Sequence, residues 1–169
     1  MTKPSRFALL LSSLLAAGQV VMPAGVLADA PVAVDRSQSE AKKLNAIFDE
    51  YFEEYLKQNP ILATSIGDPR YNDRFVVGIS PAAIAAEEKL QRDFLARVQT
   101  VDRAALPAAD QLSYDIFKTG REREIEGFKF PDELIPLNQF YSTPNSFAQL
   151  GSGNGMQPFK TVQDYDNFL

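Results

Sequence analysis

The 169-residue sequence predicts an all-α, mainly α-helical fold. Apolar residues recur at three-and-four spacing in long stretches, helix-start signals stand directly before them, and no strand-like alternation or internal repeat runs beyond a few residues. From about residue 128 to 160 proline and glycine interrupt this pattern, so a long irregular segment follows the helical part.

The first 28 residues read as a secretory signal peptide. Lys3 and Arg6 form the charged region, and Phe7 to about Val21 the apolar one. Val26-Leu27-Ala28 places cleavage after Ala28. Gly18, Gln19, Pro23 and Gly25 break a run already shorter than the roughly 20 apolar residues that span a bilayer, so the expectation is export to the periplasm or beyond rather than an anchor. With no cysteine anywhere, there is neither a lipid-attachment site nor a disulfide framework. Cleavage removes two positive charges and takes the formal net charge from −5 to −7. A chain this acidic, without a basic stripe, is a poor ligand for nucleic acid or an anionic membrane.

Residues 29–36, carrying Pro31, are expected to be a disordered lead. Ser37 and Glu40 then form a capping-box pattern. Leu44, Ile47, Phe48, Tyr51, Phe52, Tyr55 and Leu56 make one apolar stripe, ended by Asn59-Pro60. Pro60 can open a short second helix, with Gly67 placed to stop it in a left-handed conformation. Residues 68–78 read as a polar loop anchored by Tyr71 and Phe75. Ser80-Pro81 opens a third helix to about Val101, burying Ile84, Leu90, Phe94, Leu95, Val98 and Val101. A fourth runs from Pro107 to about Phe128, with Leu112, Ile116, Phe117 and Ile125 expected inward.

Beyond Phe128, four prolines (Pro131, Pro136, Pro144 and Pro158) and three glycines (Gly151, Gly153 and Gly155) exclude long helices. The segment is still too rich in Phe, Tyr, Leu and Ile for a solvated linker. Loops this long in compact domains tend to be functional or to lean on something else. Thr161 then caps a last amphipathic helix without a stop signal, which suggests a fold continuing beyond Leu169, with Phe140, Tyr141, Phe147, Tyr165 and Phe168 needing partners there.

Three patterns suggest chemistry and lose on context. Ser39 to Lys42 fits Ser-x-x-Lys and Lys118 to Gly120 fits Lys-Thr-Gly, but the latter falls in a helical pattern and the third element of that serine chemistry is missing. Gly151 to Gly155 lacks the strand, helix and Lys-Ser/Thr of a phosphate loop. Asp49, Glu50, Glu53 and Glu54 share a helix face opposite the apolar stripe, the pattern of a solvated surface. With no histidine, the chain cannot form the usual hydrolytic zinc sites. The sequence therefore provides no catalytic or metal-ligating residue. The best substrate-contact candidates are Asn138, Gln139, Tyr141 and Asn145, neutral amide and phenol groups beside apolar anchors in a proline-bounded loop, a mixture suited to a peptide backbone. The alternative has Asn138 and Gln139 satisfying backbone groups left open by irregular chain.

Several tracts carry a resemblance: Phe48 to Leu56 running into Asn59-Pro60, then Ala63-Thr64, Gly67, Tyr71-Asn72-Asp73-Arg74, and Leu134-Ile135-Pro136-Leu137-Asn138-Gln139. In this order and spacing they resemble the N-terminal part of the exported bacterial proteins grouped as domain-of-unknown-function family 885, over most of residues 37–169. The resemblance implies a largely helical fold much longer than this chain, whose downstream half holds a His-Glu-x-x-x-x-His-like signature similar to zinc-dependent peptidases. It also implies that zinc, its ligands and the general base belong to the remainder of the same polypeptide, with peptide-like substrates. Where many members carry a basic or histidine residue two positions after the glycine, this sequence has Pro69, followed by Arg70. The competing class is a non-enzymatic periplasmic helical binding or scaffold protein.

Overall fold

The computed structural model of the protein describes residues 30–135, 137–138 and 142–169. The predicted signal peptide and its cleavage site lie outside the described residues. Those described form six α-helices and no sheet: α1 (Ala30–Gln58), α2 (Pro60–Ser65), α3 (Pro81–Val98), α4 (Ala108–Gly127), α5 (Thr143–Leu150) and α6 (Val162–Phe168). The all-α expectation holds. None of these helices is long and apolar enough to cross a membrane.

The N-terminal end of α1 differs from the sequence reading. Within the described residues the helix runs from Ala30, so residues 30–36, expected to be disordered, are helical. Nothing between Pro31 and Ser37 breaks the helix. Ser37 is therefore interior and caps nothing. Glu40 instead reaches across the fold, and the backbone N–H of Asp102 donates to its Oε2 at 2.8 Å. A residue read as a local cap thus ties α1 to the turn between α3 and α4.

The core forms where α3 packs against both α1 and α4. Leu44 and Ile47 from α1, Leu90, Phe94 and Val98 from α3, Val101 and Leu106 from the connection, and Tyr114 from α4 are buried together. Ser80 caps α3 as expected, its Oγ accepting from the Ala83 N–H at 3.2 Å. At the other end of α1, Leu56, Ala63 and Tyr71 make a second, smaller buried cluster beneath α2. Gly67 ends α2 at φ 86°, the left-handed geometry its position predicted. Interhelical ion pairs fasten the outside, Arg97 to Glu50 and Arg103 to Asp115, both at 2.6 Å.

The inward face of α4 is rotated from the predicted one. Leu112 and Ile116 are 62% and 65% exposed, whereas Tyr114 is buried. The winning face carries the rings: Phe117 lies 4.8 Å from Phe48 and 5.1 Å from Tyr51, and Arg121 sits 4.1 Å over the Tyr51 ring. Tilted and edge-on aromatic contact, with a cation laid over it, outweighs the two aliphatic side chains left outside.

Candidate functional site

The proline-rich segment folds into short pieces: a single 3-10 turn at Asp132–Leu134, an antiparallel bridge between Leu137 and Ser142, and the eight-residue α5. Asn138 directly follows the bridge's first residue, and Asn145 lies beyond its second. Asn138 and Asn145 are both exposed, Asn145 in the first turn of α5. Gln139 and Tyr141 lie outside the described residues, as do Pro136 and Phe140. Helix α5 itself went unread in the sequence, because Pro144 looked like a breaker. Pro144 is the second helical residue, a place that tolerates proline.

A groove of about 430 Å³ runs beside this loop. Ile61 of α2 and Phe75 form one wall, and Ser142, Ser146, Phe147, Leu150 and Met156 the other. A chain of rings holds the second wall. Phe75 meets Phe147 edge-on at 5.4 Å, Phe147 stacks on Phe168 at 5.8 Å, and Phe159 lies 5.2 Å from Phe168 and 4.9 Å from Tyr165. Of the rings expected to need partners beyond Leu169, Phe147, Tyr165 and Phe168 therefore pair within the chain, although Phe147 and Tyr165 remain partly exposed. Buried Gln157 adds a hydrogen bond from its Nε2 to the Asn72 carbonyl at 3.5 Å. The glycine run is a packing turn: a Cβ on Gly155 would stand 2.9 Å from the Gln149 carbonyl oxygen, and one on Gly151 3.0 Å from the Phe168 ring. Thr161 and Asp164 complete the capping box that starts α6.

Sequence reasoning missed Ser142, Ser146 and Met156 as groove residues. Their only local signal is spacing: Ser142 and Ser146 are four apart, one behind the other on the face that α5 turns to Ile61 and Phe75.

The short motifs end on helix surfaces, Ser39 and Lys42 on α1 and Lys118 to Gly120 within α4. Lys118 is paired with Glu122 at 2.9 Å. In the acidic face of α1, Arg70 takes Glu53 in a two-point contact at 2.7 and 3.0 Å, and Arg97 takes Glu50. The same guanidinium also binds Asp68, and these bonds hold the Glu53 and Asp68 carboxyls below their ordinary range. Among the described residues no group of three or more His, Cys, Asp or Glu could hold a metal. A hydrolytic zinc needs imidazole or thiolate donors, which this chain does not contain, so its residues do not fit that ion.

What the geometry defines is an all-α helical scaffold bearing an aromatic-stapled loop layer with an apolar groove. Residues 60–169 match the model of a bacterial protein family of unknown function, DUF885, and the chain belongs to that family. No curated protein matches the chain, and no solved structure does.

Proposed function

We propose that this chain is the N-terminal helical part of an exported, metallopeptidase-like hydrolase, and that its groove and the adjoining 137–145 loop contact a peptide backbone. Family membership over residues 60–169 carries this reading. The groove supports the site, because apolar walls with the hydroxyls of Ser142 and Ser146 suit a neutral, extended chain. In this reading zinc, its ligands and the general base come from the remainder of the polypeptide, so no chemical step is assigned to these residues. Export rests on the Lys3/Arg6 signal and Val26-Leu27-Ala28.

The test uses the uninterrupted reading frame, expressed with its leader. N-terminal sequencing of the exported product should begin at Asp29. Turnover of a mixed peptide library should require zinc, and Asn138→Ala and Tyr141→Phe should lower turnover without moving the melting temperature. A loss of roughly 1–3 kcal/mol of stability with activity per folded molecule preserved would make those groups structural instead. Peptide binding without zinc-dependent turnover would favour the non-enzymatic binding or scaffold class.

A further inference from the structure

Between α5 and α6 the chain turns through Gly151-Ser152-Gly153-Asn154-Gly155, and this turn holds the only Asn-Gly step in the sequence. Asparagine is among the chemically labile residues. Before a glycine its side-chain carbonyl carbon, Cγ, lies next to a backbone nitrogen that no following side chain shields. Both residues are exposed. Among the described residues neither the Asn154 side chain nor the Gly155 N–H takes part in a hydrogen bond. The turn is held by other groups: the Asn154 N–H donates to Ser152 Oγ at 3.2 Å, and that hydroxyl donates to the Gln149 carbonyl at 2.7 Å. Gly153, on the other side, has φ 77°, so Asn154 has no bulky neighbour.

Five other asparagines lack one of the two reacting partners or have it tied down. Asn145 is followed by Ser146, whose N–H donates to the Ser142 carbonyl at 2.9 Å. Asn45 lies inside α1, where the next N–H belongs to the helix ladder. Asn59 precedes Pro60, which has no N–H. The Asn72 side chain accepts from Thr64 Oγ1 at 2.8 Å, and that of Asn167 from Gln163 Nε2 at 2.7 Å.

We propose that Asn154 is a site of spontaneous deamidation and isomerisation that remodels one wall of the α5 groove. The Gly155 nitrogen bonds to Asn154 Cγ as the Cγ–Nδ2 bond breaks. Ammonia leaves with the Gly155 amide proton, and a cyclic imide remains. Water then opens the imide at either carbonyl. One opening leaves an aspartyl residue; the other routes the main chain through Cγ and so adds a methylene to it. Both leave one new negative charge. The added length meets fixed points on either side. Gly155 packs so closely on α5 that a Cβ there would stand 2.9 Å from the Gln149 carbonyl oxygen, and Gln157 is 5% exposed, its Nε2 donating to the Asn72 carbonyl. Gly155 and Met156, between those points, line the groove, whose lining contains no charged side chain. A longer backbone therefore displaces that wall, and the new carboxylate stands beside it. Poorer fit of a neutral peptide is the consequence if the groove takes one, which rests on the function proposed above; the modification itself does not.

Ageing the full chain in mildly alkaline buffer, followed by peptide mapping with electron-transfer fragmentation, tests the site. Asn154 should convert at least about tenfold faster than Asn145, whose neighbouring N–H is released only when the first turn of α5 opens. The isoaspartyl product should predominate. Met156 is the only methionine beyond Met22, so methyl-labelled methionine gives the groove wall its own resonance. That resonance should be replaced by a new one at the rate at which the isoaspartyl form accumulates. Asn154→Gln, which needs a larger and slower-forming ring, should stop both changes. Freshly prepared Asn154→Asp, which adds the charge without lengthening the backbone, should move the Met156 resonance less than ageing does. Conversion of Asn154 no faster than that of Asn145 overturns the site, and conversion with an unmoved Met156 resonance overturns its link to the groove. Both readings are taken on the unaltered chain and need no variant to fold.

Discussion

Replacing Glu40 by alanine isolates the contact that joins the first helix to the far turn of the core. In the folded chain Glu40 Oε2 accepts the Asp102 backbone N–H at 2.8 Å, 62 residues away in sequence, at a half-buried position. The alanine variant leaves that N–H without its acceptor, and hydrogen bonds to a charged group contribute about 1.5–3 kcal/mol. Partial access of water to the turn puts the expected loss near the lower half, about 2 kcal/mol. That is roughly a thirtyfold fall in the folded-to-unfolded ratio, or about 4–8 °C in melting temperature for a chain of this size. Urea denaturation followed by circular dichroism reads the loss as a lower midpoint at unchanged slope. Glu40→Gln keeps an acceptor oxygen and should recover most of it. Arg36→Ala, which removes only the exposed ion pair to Asp102, should cost less than about 0.5 kcal/mol. Equal loss in the alanine and glutamine variants, or a loss below about 0.5 kcal/mol for alanine, refutes the assignment of Glu40 as the cap of the Asp102 turn.

Gly67→Ala should destabilise by roughly 1–2 kcal/mol through backbone strain alone, since φ is 86° and no atom lies within 4 Å of the added methyl; Gly67→Asn should cost less in the same urea assay. Gln91→Met should be neutral or stabilising by up to about 1 kcal/mol, because it removes an unpaired buried oxygen and only a 3.5 Å contact to the Tyr51 hydroxyl. Glu87→Gln should stabilise the fold at neutral pH. The folded carboxyl is raised above 4.5 by burial and by Glu124, so its penalty is present above the folded value and disappears as pH falls toward 4.5; a gain that grows on acidification would contradict this. Phe75→Ala should speed amide exchange in α5 and α6 while leaving α1, α3 and α4 protected, and uniform acceleration across all five helices would count against a separately anchored layer.

How much of this was legible in the sequence follows from which forces set each feature. Elements fixed by local backbone chemistry read well: the Ser80 cap, Pro60 at a helix start, left-handed Gly67 and the Thr161–Asp164 box all stand where their residue types place them. Features fixed by distant partners did not. Ser37 and Glu40 have capping-box spacing, yet the helix was already running, and Glu40's partner is in a turn no local pattern links to it. On α4 two stripes compete, and aliphatic count favours Leu112 and Ile116. The observed face has Tyr114, Phe117 and Arg121, whose advantage exists only once Phe48 and Tyr51 of α1 are opposite. Of the candidate contacts, Asn138 and Asn145 are exposed beside the groove, while Ser142 and Ser146 line it. Neutral hydroxyls on a helix hidden behind a proline carry almost no sequence signal.

The same division explains where binding can reside. The α1–α3–α4 core ties its surface together with ion pairs along and between helices, such as Arg92 to Glu88 and Arg97 to Glu50. The layer after Phe128 is assembled differently. Its helices are too short to hold themselves, and rings rather than a continuous aliphatic core connect α5 and α6 to Phe75. Edge-on and stacked ring pairs contribute about 0.5–1.5 kcal/mol each beyond the area they bury, enough to position a loop while leaving it able to shift. A groove with one wall on α2, at Ile61, and the other on such a layer can adjust its width, which suits the extended peptide proposed for it.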